Sequence, residues 1–359
     1  MKRAVLCVRD PENYIPSLAD YSLMIVNPDS TPARLEYLLK RADWSLLVTE
    51  QGQQTRNGAD YVDERLLWYT SGTTGDSKFR SFTQEQLDAQ CKTICNSYSI
   101  TANDRYLSVM PLWHAHGQGL YWAAQYAQCE VKYAKPAELK SRIDFSPTFV
   151  SAIPDFLQAL TRQQFNDLRF VRSASSALPD ALHDRLSAWT SAPVIEAFGM
   201  TEALSHCFTN PLNGPQRKGT VGLPDGVTAK IVDGVLHIQG RSMFQRDWYD
   251  TGDIAEQDDL GYYRILGRVV DRLNVKGYKL DPLSIENQLY NLVDVTEVAV
   301  FGTDTVMCVY TGNVDEVEVR RALTSIDAHC NPKFLKRVDD IPKNAAGKVS
   351  RSYLKDYYK

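Results

Sequence analysis

Tyr69-Thr70-Ser71-Gly72-Thr73-Thr74-Gly75-Asp76-Ser77-Lys78 is the most informative stretch of this chain, and it follows a predicted strand over Leu66–Tyr69. Its glycines let backbone N–H groups approach an anion, its hydroxyls add donors, and Lys78 supplies a mobile positive charge. This composition predicts a phosphate-holding loop. The spacing departs from the P-loop pattern GxxxxGK[ST] and Phe79 follows the lysine, so a P-loop NTPase is disfavoured. A flexible surface turn would explain the glycines but not the density of donors.

Further along the chain, short segments combine small residues with polar and charged ones. They are Pro111-Leu112-Trp113-His114-Ala115-His116-Gly117, Ser173–Pro179, Glu196-Ala197-Phe198-Gly199-Met200-Thr201-Glu202, Gly219–Pro224, Trp248–Asp253, Gly267–Lys279 and Ile341–Arg351. Among their residues are an aromatic, Phe198, and two carboxylates, Glu202 and Asp253. Each residue alone has an ordinary explanation, such as a core aromatic or a common turn.

In this order the segments resemble the core motifs of the adenylate-forming superfamily, which includes acyl-CoA synthetases, peptide-synthetase adenylation domains and luciferases. The resemblance covers most of the chain, from about residue 23 to its end. It implies an α/β fold. A large N-terminal domain of mixed and parallel sheets flanked by helices, with a β-rich subdomain, would span residues 1–268. A small α+β C-terminal domain, joined by a hinge, would span residues 269–359.

The resemblance also implies a role for each matched residue. Thr70–Lys78 would hold the β- and γ-phosphates of ATP, while Phe198, Asp253 and Arg268 would hold the nucleoside. Thr201, Glu202 with Mg²⁺, and Lys348 would act at the reacting phosphate, and Lys348 would neutralise the charge that develops there. His114 would lie beside the phosphate and the acid, whereas His116 is expected to be structural. The remaining nucleotide or CoA positions are Thr70, Ser71, Gly72, Thr73, Thr74, Gly75, Lys78, Ser175, Ser176, Glu196, Ala197, Gly199 and Gly277, the last beside the pantetheine tunnel.

The expected activity is the ATP-dependent conversion of a small carboxylic acid to an acyl-adenylate, followed by transfer to a thiol, with CoA favoured. A carrier-protein phosphopantetheine or an amine is the alternative acceptor. A catalytically impaired nucleotide-binding scaffold is the non-enzymatic alternative. Trp113, Tyr121 and Trp122 could suit an aryl or short apolar acid, or Tyr121 and Trp122 could belong to a helix packing face. No acidic residue in these segments is placed to hold an α-amino group, which disfavours an amino acid.

Two departures from the family pattern affect what is expected of the N-terminal domain and of the hinge. Only 69 residues precede Thr70, which predicts a minimised N-terminal domain in which part of a sheet is either uncovered or covered by a partner chain. Because an exposed apolar patch favours association, homodimerisation is a hypothesis. Val270 stands at the hinge position, where the family usually has Asp or Lys, although Asp271 is adjacent. This substitution predicts a differently tuned rotation between the two half-reactions.

The 359 residues carry a net charge of −4, which gives no electrostatic indication of nucleic-acid binding. The seven cysteines are scattered and predict buried thiols rather than a disulfide framework. Neither a signal-peptide core nor a membrane span is evident, so a cytoplasmic location is expected.

Local patterns predict the elements around the motifs. Thr83 and Gln86 have capping-box spacing ahead of a helix, and Asp233-Gly234 predicts a β-hairpin. The predicted strands of the first two-thirds are Leu23–Val26, Trp44–Val48, Leu66–Tyr69, Tyr106–Met110, Phe149–Ala152, Phe170–Ser173 and Val194–Ala197.

Overall fold

The fold is given by a computed structural model, which describes residues 1–69, 77–135, 138–139, 141, 143–290, 295–343 and 348–358. The first sheet has the strand order β4-β3-β1-β2-β5-β6. Its strands are β1 (Lys2–Cys7), β2 (Tyr21–Ile25), β3 (Leu46–Thr49), β4 (Gly52–Thr55), β5 (Glu64–Tyr69) and β6 (Phe79–Thr83). Its four inner strands are parallel, and β4 and β6 close the edges in the antiparallel sense. Strand β1 was not predicted, although it pairs with both β2 and β3.

Helix α1 (Pro32–Ala42) covers one face of this sheet, and α2 (Gln84–Tyr98) and α3 (Ala115–Tyr126) cover the other. The predicted capping box of α2 is confirmed, since Thr83 and Gln86 exchange both hydrogen bonds. Nearly every residue of β1, β2 and β5 is buried. The centre of this sheet is therefore covered, whereas its edge strand β4 is exposed along its whole length.

A second sheet lies on the far side of α2 and α3 and has the order β13-β12-β11-β10-β9-β7-β8. Its strands are β7 (Arg105–Ser108), β8 (Glu130–Tyr133), β9 (Phe149–Ala152), β10 (Phe170–Ser173), β11 (Val194–Phe198), β12 (Phe208–Thr209) and β13 (Leu223–Pro224). Strands β7 to β11 are parallel. Helices α4 (Pro154–Leu160) and α5 (Asp180–Trp189) cover its outer face, which gives five alternating layers of helix and sheet.

A four-stranded antiparallel sheet follows, and it forms the β-rich subdomain. Its strands are β14 (Val227–Val232), β15 (Val235–Gly240), β16 (Tyr249–Gln257) and β17 (Tyr263–Arg268). The predicted hairpin is confirmed: Asp233 and Gly234 have φ of +51° and +79°, the left-handed pair that a type I′ turn needs. Strand β17 ends at Arg268, where the domain boundary was predicted.

The last ninety residues form a small α+β unit with its own core. Its elements are β18 (Leu273–Val275), β19 (Tyr278–Leu280), α6 (Pro282–Leu289), β20 (Val295–Gly302), β21 (Val306–Gly312), α7 (Glu316–Ile326), β22 (Phe334–Arg337) and α8 (Arg351–Tyr357). The predicted α/β class is confirmed. All seven cysteines are free and buried, as predicted. Within the described residues no helix is both long enough and apolar enough to cross a membrane.

Candidate functional site

Three charged side chains from two parts of the chain meet at the centre of the site. Asp253 of β16 and Arg268 of β17 stand opposite each other in register, and the Arg268 Nε donates to the Asp253 Oδ1 at 2.9 Å. Lys348 arrives from the segment ahead of α8. Burial lowers the pKa of Lys348 from 10.5 to about 8, and the positive charge of Arg268 acts in the same direction while Asp253 opposes it. Burial raises the pKa of Asp253, against the effect of Arg268.

His114 and His116 lie at the start of α3, on the same side of the molecule. His114 caps the helix, and its Nδ1 accepts from the backbone N–H of His116 at 3.3 Å. Burial and the charge of Lys348 lower the pKa of His114 to about 3, so its imidazole is neutral at physiological pH. The ring of His116 lies between the hydroxyls of Ser175, at 2.9 Å, and Ser151, at 2.7 Å. Burial also holds the pKa of His116 well below its usual value.

Sequence reasoning missed the fully buried Arg172 of β10, which organises a polar network behind these histidines. Its Nε donates to the Tyr98 hydroxyl at 2.9 Å, and its two terminal nitrogens donate to His116 Nε2 at 3.1 Å and His206 Nδ1 at 3.3 Å. His206 in turn donates from Nε2 to Asp225 at 2.6 Å. Because Arg172 can only donate, this network assigns the tautomer of both imidazoles.

Glu202 is buried in the turn that follows β11. Its Oε1 accepts from the Tyr249 hydroxyl at 3.4 Å and lies 3.8 Å from the Nε of Arg80. The Arg80 guanidinium also covers the ring of Phe244, 4.1 Å from its centroid. Sequence reasoning missed Arg80 because its partners are more than 100 positions away.

The residues around Glu202 could hold Mg²⁺ only if substrate phosphates supplied further oxygen ligands. Among the described residues no cluster of three or more His, Cys, Asp or Glu side chains is placed to hold a metal ion. Mg²⁺ is commonly held by one or two carboxylates together with substrate phosphates. Glu202 is thus a suitable single protein ligand.

The predicted wall of the nucleoside site runs along the end of β11. Ala197 is buried, and the ring of half-buried Phe198 meets Phe208 edge-on, with centroids 5.9 Å apart. Gly199 is required sterically, because a Cβ there would lie 1.8 Å from the carbonyl oxygen of Ser205.

The flanking loops of this wall complete it. The buried carboxyl of Glu196 accepts from the Gly219 backbone N–H at 2.8 Å, and burial raises its pKa to about 8. In the loop after β10, Ser175 has a φ of +75° and is half-buried, whereas Ser176 is exposed. Glu196 is therefore a support for the neighbouring loop, and of the two serines Ser175 bonds His116.

The phosphate-holding loop can be followed only at its end. Thr70, Ser71, Gly72, Thr73, Thr74 and Gly75 lie outside the described residues. Ser77 is buried and accepts a hydrogen bond from Arg34, and Lys78 is exposed at the start of β6.

The predicted hinge lies in a short turn over Val269–Asp271 between β17 and β18. Val270 is 71% exposed, and Asp271 lies 3.6 Å from Arg351 of α8. Gly277 has a φ of +89° in the tight turn between β18 and β19, and a Cβ there would meet nothing within 4 Å. The backbone conformation explains the glycine in this arrangement.

Lys343 joins the C-terminal unit to the second sheet's outer layer. Its Nζ lies 2.5 Å from Asp155 at the start of α4 and 2.5 Å from Glu297 on β20. This contact links the C-terminal unit to α4 at a lysine five positions ahead of Lys348.

Two cavities accompany these groups. A cleft of about 690 Å³ between α5 and the C-terminal sheet contains none of the predicted site residues. A much smaller cavity, of about 10 Å³, adjoins the start of α3 and Thr201. Tyr121 and Trp122 are buried in the core, so they form the packing face that the sequence left as an alternative.

The chain matches the AMP-binding enzyme family over residues 59–242, just over half of its length. Among curated proteins, an oxalate–CoA ligase of Arabidopsis thaliana is 28% identical and aligns with 82% of this chain and 68% of its own. A sulfoacetate–CoA ligase of Cupriavidus necator is also 28% identical, over 98% of this chain and 81% of its own.

A solved structure shares the whole fold. The crystal structure of ATP-bound MatB from Rhodopseudomonas palustris superposes with a TM-score of 0.88 at 22% identity, covering 99% of this chain and 88% of that one. This likeness includes β1, so the shared fold begins earlier in the chain than the motifs indicated.

Proposed function

The chain belongs to the AMP-binding enzyme family, and on that premise we propose that it is an AMP-forming ligase, which activates a small carboxylic acid with ATP and passes it to coenzyme A. The observation that carries this proposal is the meeting of Lys348 with the Asp253–Arg268 pair beside a neutral His114. The oxalate–CoA and sulfoacetate–CoA ligases support a small acid and a CoA acceptor.

In the first half-reaction a carboxylate oxygen attacks the α-phosphorus of ATP, and the bond to the bridging oxygen of the β-phosphate breaks. Pyrophosphate leaves with the electron pair of that bond. The ammonium of Lys348 would neutralise negative charge between the carboxylate and the phosphate, an electrostatic contribution that is large in a water-poor site. Asp253 would accept from both ribose hydroxyls, Arg268 would contact the nucleotide, and Phe198 would stack on the adenine.

The polar surroundings of the reacting phosphate would complete the site. Thr201 would donate to it, and Glu202 would hold Mg²⁺, which supplies positive charge to the phosphates when bound. Arg80 supplies Glu202 with a positive neighbour in its present state. The loop of Thr70–Gly75 with Lys78 would hold the outer phosphates.

In the second half-reaction the CoA sulfur attacks the acyl carbon and AMP leaves with its phosphate oxygen. We propose that residues 269–359 rotate about the turn at Val270 between the two steps, and that Gly277 then borders the pantetheine path. A carrier-protein phosphopantetheine or an amine would use the same adenylate, so the acceptor is tested directly with CoA, a loaded carrier protein and hydroxylamine.

A homodimer and a cytoplasmic location stay predictions, which light scattering and cell fractionation test.

The decisive experiment is ATP–pyrophosphate exchange with Mg²⁺, run with pools of short polar, short apolar, long-chain, aryl and amino acids. One pool should stimulate exchange, Lys348→Ala should abolish it, and the matched variant of a half-buried α8 lysine, Lys355→Ala, should not. ATP binding without exchange in every pool would contradict the proposal and favour the scaffold alternative.

A further inference from the structure

The larger of the two cavities described above lies outside the proposed active site, between two parts of the chain. Its volume is about 690 Å³, within the range of pockets that hold small organic molecules. One wall is α5, which contributes Arg185, and the other wall is one end of the C-terminal sheet. Arg185 precedes the predicted hinge at Val270, whereas the residues of the sheet wall follow it. The shape of this cleft therefore depends on how residues 269–359 stand against α5.

The sheet topology explains why polar groups gather along this wall. Strand β20 runs antiparallel to β21, and β22 runs parallel to β21. The start of β20 and the ends of β21 and β22 therefore lie side by side. They place Thr296, Asn313 and Arg337 along the cleft. A hydroxyl, a carboxamide and a guanidinium thus line the same space as Arg185.

The two arginines line the cleft from opposite walls. The Arg337 Nη2 donates to the Asn313 Oδ1 at 3.1 Å, which leaves the NH₂ group of this carboxamide as a further donor. Among the residues that the structure describes, neither Arg185 nor Arg337 forms an ion pair. One carboxylate, Asp339, lines the cleft together with the two guanidinium groups. The lining is thus positive overall and favours an anion.

We propose that this cleft binds a small organic anion with two acidic groups, phosphate or carboxylate, and that Arg185 holds one group and Arg337 the other. A guanidinium binds either group through two parallel hydrogen bonds, so both kinds of ligand suit the same pair of arginines. The Asn313 carboxamide and the Thr296 hydroxyl add neutral donors for the body of the ligand. Asp339 disfavours a polyanion such as a nucleic acid, because its charge opposes that of the arginines.

Binding in this cleft would also act on the rotation about the hinge. Lys343 joins Asp155 of α4 to Glu297 of β20, and Glu297 directly follows the lining residue Thr296. The cleft therefore adjoins an ion contact between the same two parts of the chain. A ligand that bridges the two walls binds this arrangement better than a rotated one, and so it increases the population of this arrangement. On the proposed ligase function, on which this consequence rests, occupancy favours adenylation and slows CoA transfer.

The first test is binding, measured by isothermal titration calorimetry on the full chain without ATP, Mg²⁺ or acid substrate. The probes are fructose 1,6-bisphosphate and glutarate, which separate phosphate from carboxylate ligands, and glycerol 2-phosphate, which has a single acidic group. At least one of the two bis-acids should bind, and glycerol 2-phosphate should bind at least about tenfold more weakly than fructose 1,6-bisphosphate if the ligand is a phosphate.

Variants locate the bound probe. Arg185→Ala and Arg337→Ala should each weaken binding about 10- to 100-fold, because each removes hydrogen bonds between charged groups. Arg162→Ala, after α4, and Arg321→Ala, on α7, are matched controls: both arginines are exposed, one lies on each side of the hinge, and neither lines the cleft. Both controls should keep the affinity of wild type.

The second test measures the two half-reactions separately, with and without a saturating concentration of the tighter probe. CoA transfer from a supplied adenylate should slow at least about fivefold, whereas single-turnover adenylation should keep its rate. Arg185→Ala should remove this difference, which excludes competition between the probe and CoA at a separate site.

The outcomes distinguish this inference from the ligase proposal. Absence of binding by both bis-acids, or binding that Arg185→Ala and Arg337→Ala leave unchanged, would overturn the inference and leave the ligase proposal standing. A loss of affinity in only one of these variants would overturn the bridging of the two walls, and binding with unchanged CoA transfer would overturn the effect on the rotation. Absence of adenylation and of CoA transfer in wild type would contradict the ligase proposal, while calorimetry would still decide whether the cleft binds the anion.

Discussion

Lys348 should give the first half-reaction a characteristic loss of rate in alkali. Its pKa is lowered from 10.5 to about 8, because burial disfavours the charged form and Arg268 repels it more than Asp253 attracts it. Only the protonated amine can neutralise charge at the reacting phosphate. Adenylation should therefore slow as the pH rises through 8, far below the range in which an exposed lysine titrates.

The size of the effect follows from that pKa. With a pKa of about 8, roughly nine-tenths of the molecules carry the proton at pH 7 and about one-tenth at pH 9. Because kcat/KM reports the ionisation of the free enzyme, its value for ATP should fall about tenfold between these two pH values. The assay is pyrophosphate exchange at saturating acid, with circular dichroism confirming that the fold persists across the range.

Two variants make the assignment specific. Lys348→Arg keeps the positive charge far beyond pH 9, so its profile should be flat, at a lower rate. Glu196→Gln removes another group whose pKa is about 8, and the alkaline loss should survive in it. A wild-type profile that stays flat to pH 9.5, or an alkaline loss retained in Lys348→Arg, would refute the role assigned to the lysine.

Three further predictions concern the supports of the site. Asp155→Asn removes one partner of Lys343 in a half-exposed contact worth about 0.5 kcal/mol. Single-turnover adenylation should therefore slow roughly twofold, whereas CoA transfer from a supplied adenylate should keep its rate. Equal slowing of both steps would contradict this prediction. Gly199→Ala should abolish pyrophosphate exchange, because its Cβ would strike backbone at 1.8 Å, whereas Gly234→Ala, in an open turn, should retain it. Glu196 keeps its proton in the folded state up to about pH 8, so the unfolded state binds fewer protons from about pH 4.5 to 8 and stability falls as the pH rises through that window. Thermal unfolding should accordingly show Glu196→Gln gaining Tm relative to wild type between pH 5 and 8.5, and a constant difference would count against the raised pKa.

Much of the fold could be predicted because its signals are local. The capping box of Thr83 and Gln86 and the turn at Asp233-Gly234 depend on neighbours within three residues, and both are confirmed. The strands of the second sheet follow buried apolar runs, which parallel strands covered on both faces produce. Strand β1 has the same composition, yet no turn signal precedes it to mark where a strand begins.

The parts of the site that were missed depend on distant partners. Arg80 pairs with Glu202 more than 100 positions away, and Arg172 bonds Tyr98 seventy-four positions away. In sequence alone an arginine within a strand gives no sign that it will be enclosed by other elements. The burial of such polar groups can be recognised only in the assembled fold. Lys348 and Asp253, in contrast, could be predicted as site residues because their motifs resemble those of a known family.

Arg351 links the predicted hinge to the segment that carries Lys348, the proposed catalytic lysine. It lies three residues after Lys348, and it binds both Glu286 of α6, at 2.6 Å, and Asp271 of the hinge turn, at 3.6 Å. A rotation about that turn would therefore withdraw the lysine with the rest of the C-terminal unit rather than leave it over the nucleotide. An adenylate already made would then face no ammonium group, so returning pyrophosphate could not efficiently rebuild ATP. The ion pairs of a single arginine would thus make the reaction directional, protecting the activated acid while it waits for its acceptor.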